Sequence, residues 1–527
     1  MTRWVLLLLF GFLAGRLSTL RTDAPQGVAI SGDGGYVLTV DAGSTGTRLH
    51  VHKWSAGDDS DPVFHFGSEA SSAVPNLKLS PGLSTFAVQV RAGDLPAEKR
   101  INRILDQLLA FAQKNVPEEF WSTTPLFFKA TAGLRGVSFE QADKLLALCR
   151  RRLQQSKFLF KPKWATVASG RDEGVMGWVS LNYLLGSFST NQTVGLLELG
   201  GASLQLAMQA GPHDTEDDHR LTKVTVFGRD YLLFVHSFAD FGLEAAQDRL
   251  IRRGIELKLF YDSSDDNESS MRGEEAAEEE HIVIRHPCYP PGYSAPFEHT
   301  FQVVGTGDFD ACVALVDEVL LSQHSHIQTP RIDAQLHRMV AVENFFHTAE
   351  FFGLTHSKDL AADLSAVGRV FCATDLEALR AEHPPQHHYA MLRGCFASAF
   401  ISRLMSPSHA FNIEAPHPHV DIVRDVVVAR HFRTRKTEIN EDDEVNVNVA
   451  GVGVSVDWTL GSAILEVSDL LRLNDLHRQH IRTVYCYVAG LTVCAVLFAA
   501  ATLSARTRTA TQTAASETAG QNKTKTQ

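Results

Sequence analysis

The sequence predicts an α/β protein, helices layered on mixed sheets, and three observations predict it. Strand and helix periodicities alternate along the body of the chain. Two stretches, Val37 to Trp54 and Val194 to Met208, read as strand pairs joined by glycine-rich turns. Between them stands Ala97 to Gln113, an amphipathic helix pattern. With 527 residues, 44% of them hydrophobic, the chain is long enough for two substantial domains, each with its own core.

At the N-terminus, Arg3 precedes an apolar run from Trp4 to Leu13 that ends in small residues. Residues 1–20 therefore read as a secretory signal, with a retained signal anchor as the alternative. The run is short of the about 20 apolar residues that cross a bilayer. Next comes VDAGSTGTRL, Val40 to Leu49, a strand interrupted by an acid, two glycines and three hydroxyl residues. In the helix that follows, Pro96 stands near the start, and Ile101, Ile104, Leu105, Leu108 and Leu109 share one face. Further on, Asp262 to Glu280 carries nine acids against Arg272, eight of the chain's twelve net negative charges. That run reads as a solvated loop, and the rest of the body is close to neutral. No basic stripe interleaved with aromatics occurs, so a nucleic-acid partner is not expected.

Thr483 to Leu503 holds no charge, with Tyr485 and Tyr487 at one end and Arg506 and Arg508 beyond the other. It reads as a transmembrane helix over 483–503, and the Thr-rich and Ala-rich residues 504–527 as a disordered cytoplasmic tail. The expectation is a single-pass membrane protein of the secretory pathway, in the Golgi or at the cell surface, with its body lumenal or extracellular. Association with further copies of itself is compatible with the sequence. Of seven cysteines, Cys486 and Cys494 lie in the span. An oxidising compartment favours two bridges among the rest, with Cys288 to Cys312 and Cys372 to Cys395 the nearest-neighbour choice and Cys149 left over. Asn191 and Asn267 stand in glycosylation sequons; Asn522 does too, but in the cytoplasmic tail.

VGLLELGGASLQLAM, Val194 to Met208, repeats the device of VDAGSTGTRL: an apolar strand, an acid, a glycine-rich turn with a hydroxyl, and a second strand. Glycine lets the backbone approach a ligand, and successive amides make an anion-binding concavity. The acids, Asp41 and Glu198, would repel a phosphate unless a hard divalent cation, calcium or magnesium, met them through water. One such turn is ordinary hairpin chemistry. Two copies favour a phosphate clamp.

FFKATAGLRG (Phe127 to Gly136), ASGRDEGVMGWVSLNYLLG (Ala168 to Gly186) and VDWTLGSAI (Val456 to Ile464) stand in order with the two turns. Together the five resemble the conserved regions of the nucleoside triphosphate diphosphohydrolase (apyrase) family, which includes ecto-nucleotidases and Golgi nucleoside diphosphatases. HPCYPPGYS, GTGDFDAC and the paired FC and CF around Cys372 and Cys395 extend the likeness.

The resemblance implies two RNase H-like lobes of the actin and sugar-kinase superfamily with the active site in the cleft between them. Lobe I would be 36–165, with 432–473 returning to it, and lobe II 166–431. It implies hydrolysis of the terminal phosphate of nucleoside di- or triphosphates by in-line water attack. Glu173 would be the catalytic base, with Asp172 the alternative, and Ser203 and Gln205 would orient the water. Phosphate would meet Asp41, Gly43, Ser44, Thr45 and Thr47 on one side, Gly200, Gly201, Ala202 and Ser203 on the other, with Thr131, Ala132 and Arg135 beside them. Asp41 and Glu198 would hold the metal through its water shell. Position alone gives Glu173 a plainer reading, an acid at a helix N-terminus. A phosphotransferase or exopolyphosphatase of the same fold, or a silent nucleotide-binding ectodomain, are the alternative functions. The family usually carries Asp where this chain has Glu198. Gly46 resembles the turn of lumenal diphosphatases, whereas Leu233 to Leu243 is closer to surface and plant members. Phe345, Phe346, Phe351 and Phe352 read either as a base-stacking group or as one buried helix face.

Overall fold

A computed structural model of the chain describes residues 30–43, 46–57, 61–66, 74–91, 95–190, 192–211, 221–260, 282–322, 338–406, 420–423, 425–428 and 452–523. The leader, Ser44, Thr45, Asn191, Asn267 and the acidic run from Asp262 to Glu280 lie outside them. Residues 33–466 form one compact unit.

The first sheet is buried on both faces at its centre. Val37 to Val40 of β1 (Gly34–Ala42) are buried in succession, Leu38 and Val40 in one core with the helix that follows, and the strand turns back antiparallel into β2 (Thr47–Ala56), with Asp41 opposite Arg48. The short strands β3 (Pro62–His65) and β4 (Asn76–Leu79) pair with β2. The apolar face expected between Ala97 and Gln113 is buried in α1 (Leu95–Asn115). Ile101, Leu105 and Leu108 there are almost wholly inaccessible, each contributing about 1.5–3 kcal/mol by burial. The parallel strand β5 (Leu126–Ala130) lies beside β1, and after the short α2 (Ala132–Arg135) comes α3 (Phe139–Leu153), started by a Ser138/Gln141 capping box. Strand β6 (Ala165–Val167) closes the order β3-β2-β1-β5-β6.

The chain then crosses through α4 (Gly170–Leu184), almost wholly buried after its first turn, to a second sheet. That sheet starts with β7 (Gly195–Leu199), β8 (Ser203–Gln209), β9 (Leu221–Val226) and β10 (Arg229–Ala239). Asn182 of α4 fixes the crossing: its Nδ2 donates to the carbonyls of Trp178 and Val194 at 2.9 and 3.0 Å, and its Oδ1 accepts from the Val194 amide at 2.8 Å. After α5 (Leu243–Glu256), a small sheet of β11 (Ile282–His286), β12 (Ser294–Phe297) and β13 (Phe301–Gly305) leads to α6 (Phe309–Val316). Strand β14 (Met339–Glu343) returns parallel to β7, followed by α7 (Asn344–Phe351), α8 (Leu360–Ala373), α9 (His388–Leu404) and β15 (Val420–Ile422). The second sheet thus runs β15-β14-β7-β8-β10-β9. The expected disulfides are present: Cys288–Cys312 joins the loop after β11 to α6, and Cys372–Cys395 joins α8 to α9, while Cys149 is buried and free.

A hairpin of β16 (Asp425–Val428) and β17 (Val452–Ser455) precedes α10 (Trp458–Lys523). The first turns of α10 return to the first sheet, where Glu466 Oε1 accepts from Lys129 Nζ of β5 at 2.7 Å. From Val467 onward the helix belongs, with residues 30–32, to a second unit. It holds the one helix, among the described residues, long and apolar enough to cross a membrane, at a mean hydropathy of 2.1. The helix continues to Lys523, through residues for which composition predicts no ordered structure. No proline interrupts it, and the hydroxyls of Thr509 and Thr511 donate to carbonyls one turn back.

Candidate functional site

The two turns face one cleft of about 570 Å³. Gly43 and Gly46 line it from the β1–β2 turn, and Gly200, Gly201 and Ala202 from the β7–β8 turn. Parallel pairing puts further groups beside each acid. Strand β5 runs alongside β1 with Ala130 opposite Ala42, so Thr131 follows next to Asp41 and its Oγ1 lies 3.5 Å from Asp41 Oδ1. Strand β14 runs alongside β7 with Val342 opposite Glu198, so Glu343 and Asn344 emerge at the same edge. Glu343 takes a left-handed φ of 60°, a conformation that costs a residue with a side chain about 1–3 kcal/mol and gathers at functional sites. It is stabilised in part by Asn344, whose Nδ2 donates to the Leu199 carbonyl at 2.8 Å. On the far side of the second turn, the amides of Leu243 and Glu244 donate to Gly200 and Gly201. Gly242 touches that turn so closely that a Cβ there would overlap its backbone.

Helix α4 supplies the acid expected to be the base. Ser169 caps it: its Oγ accepts from the Asp172 amide, and the Asp172 carboxylate accepts from the Ser169 amide at 2.8 Å. Asp172 is thereby held at the exposed cap, while Glu173, one residue on, is buried and lines the cleft. Gly174 and Gly177 let the helix lie against β8, β10 and β7, because a Cβ on either would sit 2.7 Å from Val235 Cγ1 or Leu196 Cδ2.

Glu173 stands in a connected cluster. Arg135 Nη1 lies 2.8 Å from Glu173 Oε2 and donates to the Ala168 carbonyl, and Arg135 Nη2 lies 3.5 Å from Ser203 Oγ. Gln205 Nε2 donates to Ser203 Oγ at 2.7 Å and lies 3.5 Å from Glu173 Oε2. Burial raises the Glu173 carboxyl above the ordinary range, and Arg135 works against that rise. Ser203 and Gln205 are themselves buried. Arg135 stands behind Glu173 and is not part of the cleft wall.

The other acids of the cleft carry excess negative charge. Burial, with Asp457 and Glu173 nearby, pushes Asp41 up to about 8. Burial, then Glu343, raises Glu198 well above its usual range, and Glu198 Oε2 makes no hydrogen bond. Burial also raises Glu343. Asp457 is the exception: burial pushes it up, but His50, the Thr459 amide and Arg48 outweigh that and hold it below the carboxylate range. Burial lowers the His50 pKa and Asp457, 3.3 Å away, works against that, while Arg48 lies 4.0 Å from the same carboxylate. Asp41 and Glu198, the acids of the two turns, are thus both forced toward protonation, and Glu198 has an unpartnered oxygen. A divalent cation with oxygen ligands fits such a donor set, because its charge would let them ionise together.

The structure brings Asp41, Gly43, Thr131, Ala132, Glu173, Glu198, Gly200, Gly201, Ala202, Ser203 and Gln205 to one cleft. It does not bring Thr47 there. Thr47 begins β2, paired with Ala42 and fully buried, and its Oγ1 makes no hydrogen bond within the protein. The cleft also gathers Arg48, Lys78, Glu244, Glu343, Asn344, Tyr389, Asp457 and Trp458. Of these, Asp457 and Trp458 stood inside VDWTLGSAI, and Arg48 directly follows the first turn; Lys78 and Tyr389 have no local signal. A second cavity of about 500 Å³ shares Asn344 and Tyr389 with the cleft and is lined by His347, Phe351, Phe352 and Arg393. Phe345 is wholly buried in the core and takes no part in it.

Comparison with known proteins agrees with this geometry. Residues 28–479 match the GDA1/CD39 (nucleoside phosphatase) family. The chain is 31% identical to "Probable apyrase 5" of Arabidopsis thaliana, over 71% of this chain and 75% of that one. It is 30% identical to "Ectonucleoside triphosphate diphosphohydrolase 6" of Mus musculus, over 70% and 74%. Among solved structures, the nucleoside triphosphate hydrolases of Neospora caninum superpose with a TM-score of 0.53 at 15% identity, over 89% of this chain and 98% of that one, which shows a common α/β fold. The chain belongs to the GDA1/CD39 (nucleoside phosphatase) family and is a nucleoside phosphatase.

Proposed function

We propose that the protein hydrolyses the terminal phosphate of nucleoside di- and triphosphates by direct attack of water, with Glu173 as the general base. The observation that carries this reading is the cluster in which Glu173, Gln205 and Ser203 stand in hydrogen-bond contact at the wall of the cleft, between the two turns. Ser203 and Gln205 would hold the attacking water, and Glu173 would take its proton. Backbone amides of the Gly43 and Gly200 to Ala202 turns would hold phosphate oxygens, with Thr131 and Ala132 beside them. Asp41 and Glu198 would hold calcium or magnesium through its water shell, and the bound cation would supply charge neutralisation at the phosphate.

The second cavity suits the nucleoside. It opens from the phosphate cleft at Asn344 and Tyr389, and Phe351, Phe352 and the Arg393 guanidinium offer stacking faces. The lobe boundaries proposed from the sequence are supported by the end of the first sheet at Val167 and by the return of Glu466 to Lys129. The apolar stretch of α10 would anchor the protein as a single-pass protein of the secretory pathway, with the cleft lumenal or extracellular; the two disulfides support that placement.

Phosphate release from ADP, GDP, UDP and ATP, with magnesium, with calcium and with chelator, tests the reading. Release that needs either cation and ranks the nucleotides is expected. Release from none of them under any condition would sink the reading.

A further inference from the structure

The two turns are built alike, but one carries an aspartate and the other a glutamate, longer by a methylene. Glu198 is nevertheless only half-buried at the edge of the cleft, with its Oε2 out of reach of solvent and making no hydrogen bond. What accommodates the extra length is on α4. A Cβ placed on Gly177 would stand 2.9 Å from Glu198 Oε2, closer than real side chains approach. The missing side chain at 177 therefore leaves a recess beside β7, and the Glu198 carboxylate occupies it.

We propose that Gly177 is a specificity-determining residue for the cation: its recess draws the Glu198 carboxylate aside, so the longer acid does not crowd the cleft. This rests on the reading that Asp41 and Glu198 hold a divalent cation. A methyl at 177 would push the carboxylate forward and change the space between the two acids. Calcium tolerates varied ligand distance and number, whereas magnesium demands near-octahedral geometry at short distance, so magnesium binding should suffer more. An aspartate at 198 would not reach the recess, and the methyl would then meet chiefly the end of the Leu196 side chain, 2.7 Å from the same Cβ position in both backgrounds.

The test uses the full chain in detergent and four forms: wild type, Gly177→Ala, Glu198→Asp and the double variant. Each is melted without cation and then across titrations of magnesium and of calcium. With Glu198 in place, Gly177→Ala should raise the magnesium concentration needed for half the Tm shift by about tenfold, a coupling of the size contacting residues show. In the Glu198→Asp background the same change should move it less than about twofold. Equal effects in the two backgrounds, or no effect in either, would overturn the proposal. If Gly177→Ala does not fold, a folded double variant supports the pairing, and failure of both overturns it. Cation-free melting separates this inference from the reading beneath it. Non-additive Tm values with no cation response in wild type would sink the cation site and leave the recess; additive values would sink the recess.

Discussion

Arg135 and Glu173 form an ion pair at 2.8 Å between the short helix after β5 and the first turn of α4, and the same guanidinium holds the Ala168 carbonyl that precedes that turn. The arginine therefore sets both the position of the acid and its proton affinity. Glu173 can accept a proton only when ionised, so activity should fall as pH drops through its pKa. Burial raises that pKa and Arg135 lowers it. Arg135→Gln removes the lowering influence, and the acid limb of kcat/KM should move to higher pH. A limb that stays in place in the pH–rate profile would separate Arg135 from the ionisation of Glu173.

Removing the proposed base should have a larger effect. Glu173→Ala should reduce kcat by about a hundredfold or more, while Asp172→Asn, which alters only the exposed cap, should cost stability and leave kcat within about threefold. Steady-state kinetics of the two variants side by side decides between the acids, and the reverse ranking would move the base to Asp172.

Asn182 makes three buried hydrogen bonds that tie α4 to the start of β7. Asn182→Leu strands the amide and carbonyl of Val194 together, so unfolding free energy should drop by about 2–3 kcal/mol. Denaturant melts would reveal it; a change under about 0.5 kcal/mol would mean that the crossing is held elsewhere.

His52 of β2 is buried, and its pKa is pulled down to about 3 by that burial. Between about pH 3 and the unfolded value near 6.5 the unfolded chain binds a proton that the folded chain refuses. Stability from keeping His52 neutral is therefore complete above about 6.5 and is lost as pH falls through that window. His52→Leu should show a smaller drop in Tm between about pH 7 and pH 5 than wild type, and an identical drop would point to other groups.

The Cys288–Cys312 bridge closes a separation of 24 residues. Replacing both cysteines by serine should cost about 3 kcal/mol on the loop-entropy account. Thermal melting in non-reducing buffer measures it, with the intact Cys372–Cys395 bridge as the internal comparison.

How much of this was legible in the sequence depends on whether the chemistry was local. The two turns were legible because acid, glycine and hydroxyl stand side by side, and the strands flanking them paired as expected. Between Asp172 and Glu173 the sequence held one further cue: Ser169 three residues before Asp172 is a capping box, which places Asp172 at the helix end. The burial of Thr47 was not legible, because a hydroxyl at the end of a turn looks exposed until strand register pairs it with Ala42. Glu343, Lys78 and Tyr389 were out of reach, since each arrives at the cleft from a distant segment with no pattern of its own.

Lys129 and Glu466 meet across 337 residues of chain. During synthesis at about 5–20 residues per second, the strand carrying Lys129 waits some tens of seconds for its partner. Through that interval the first sheet lacks the helix that returns to it, and its lysine and the strand around it stand open to solvent. Asp457 and Trp458, which line the cleft, belong to the same late segment, so the cleft is completed only as the segment that would enter the bilayer is being made. A chain stopped short of Glu466 would hold both phosphate turns and still lack the piece that joins the end of the chain to its beginning.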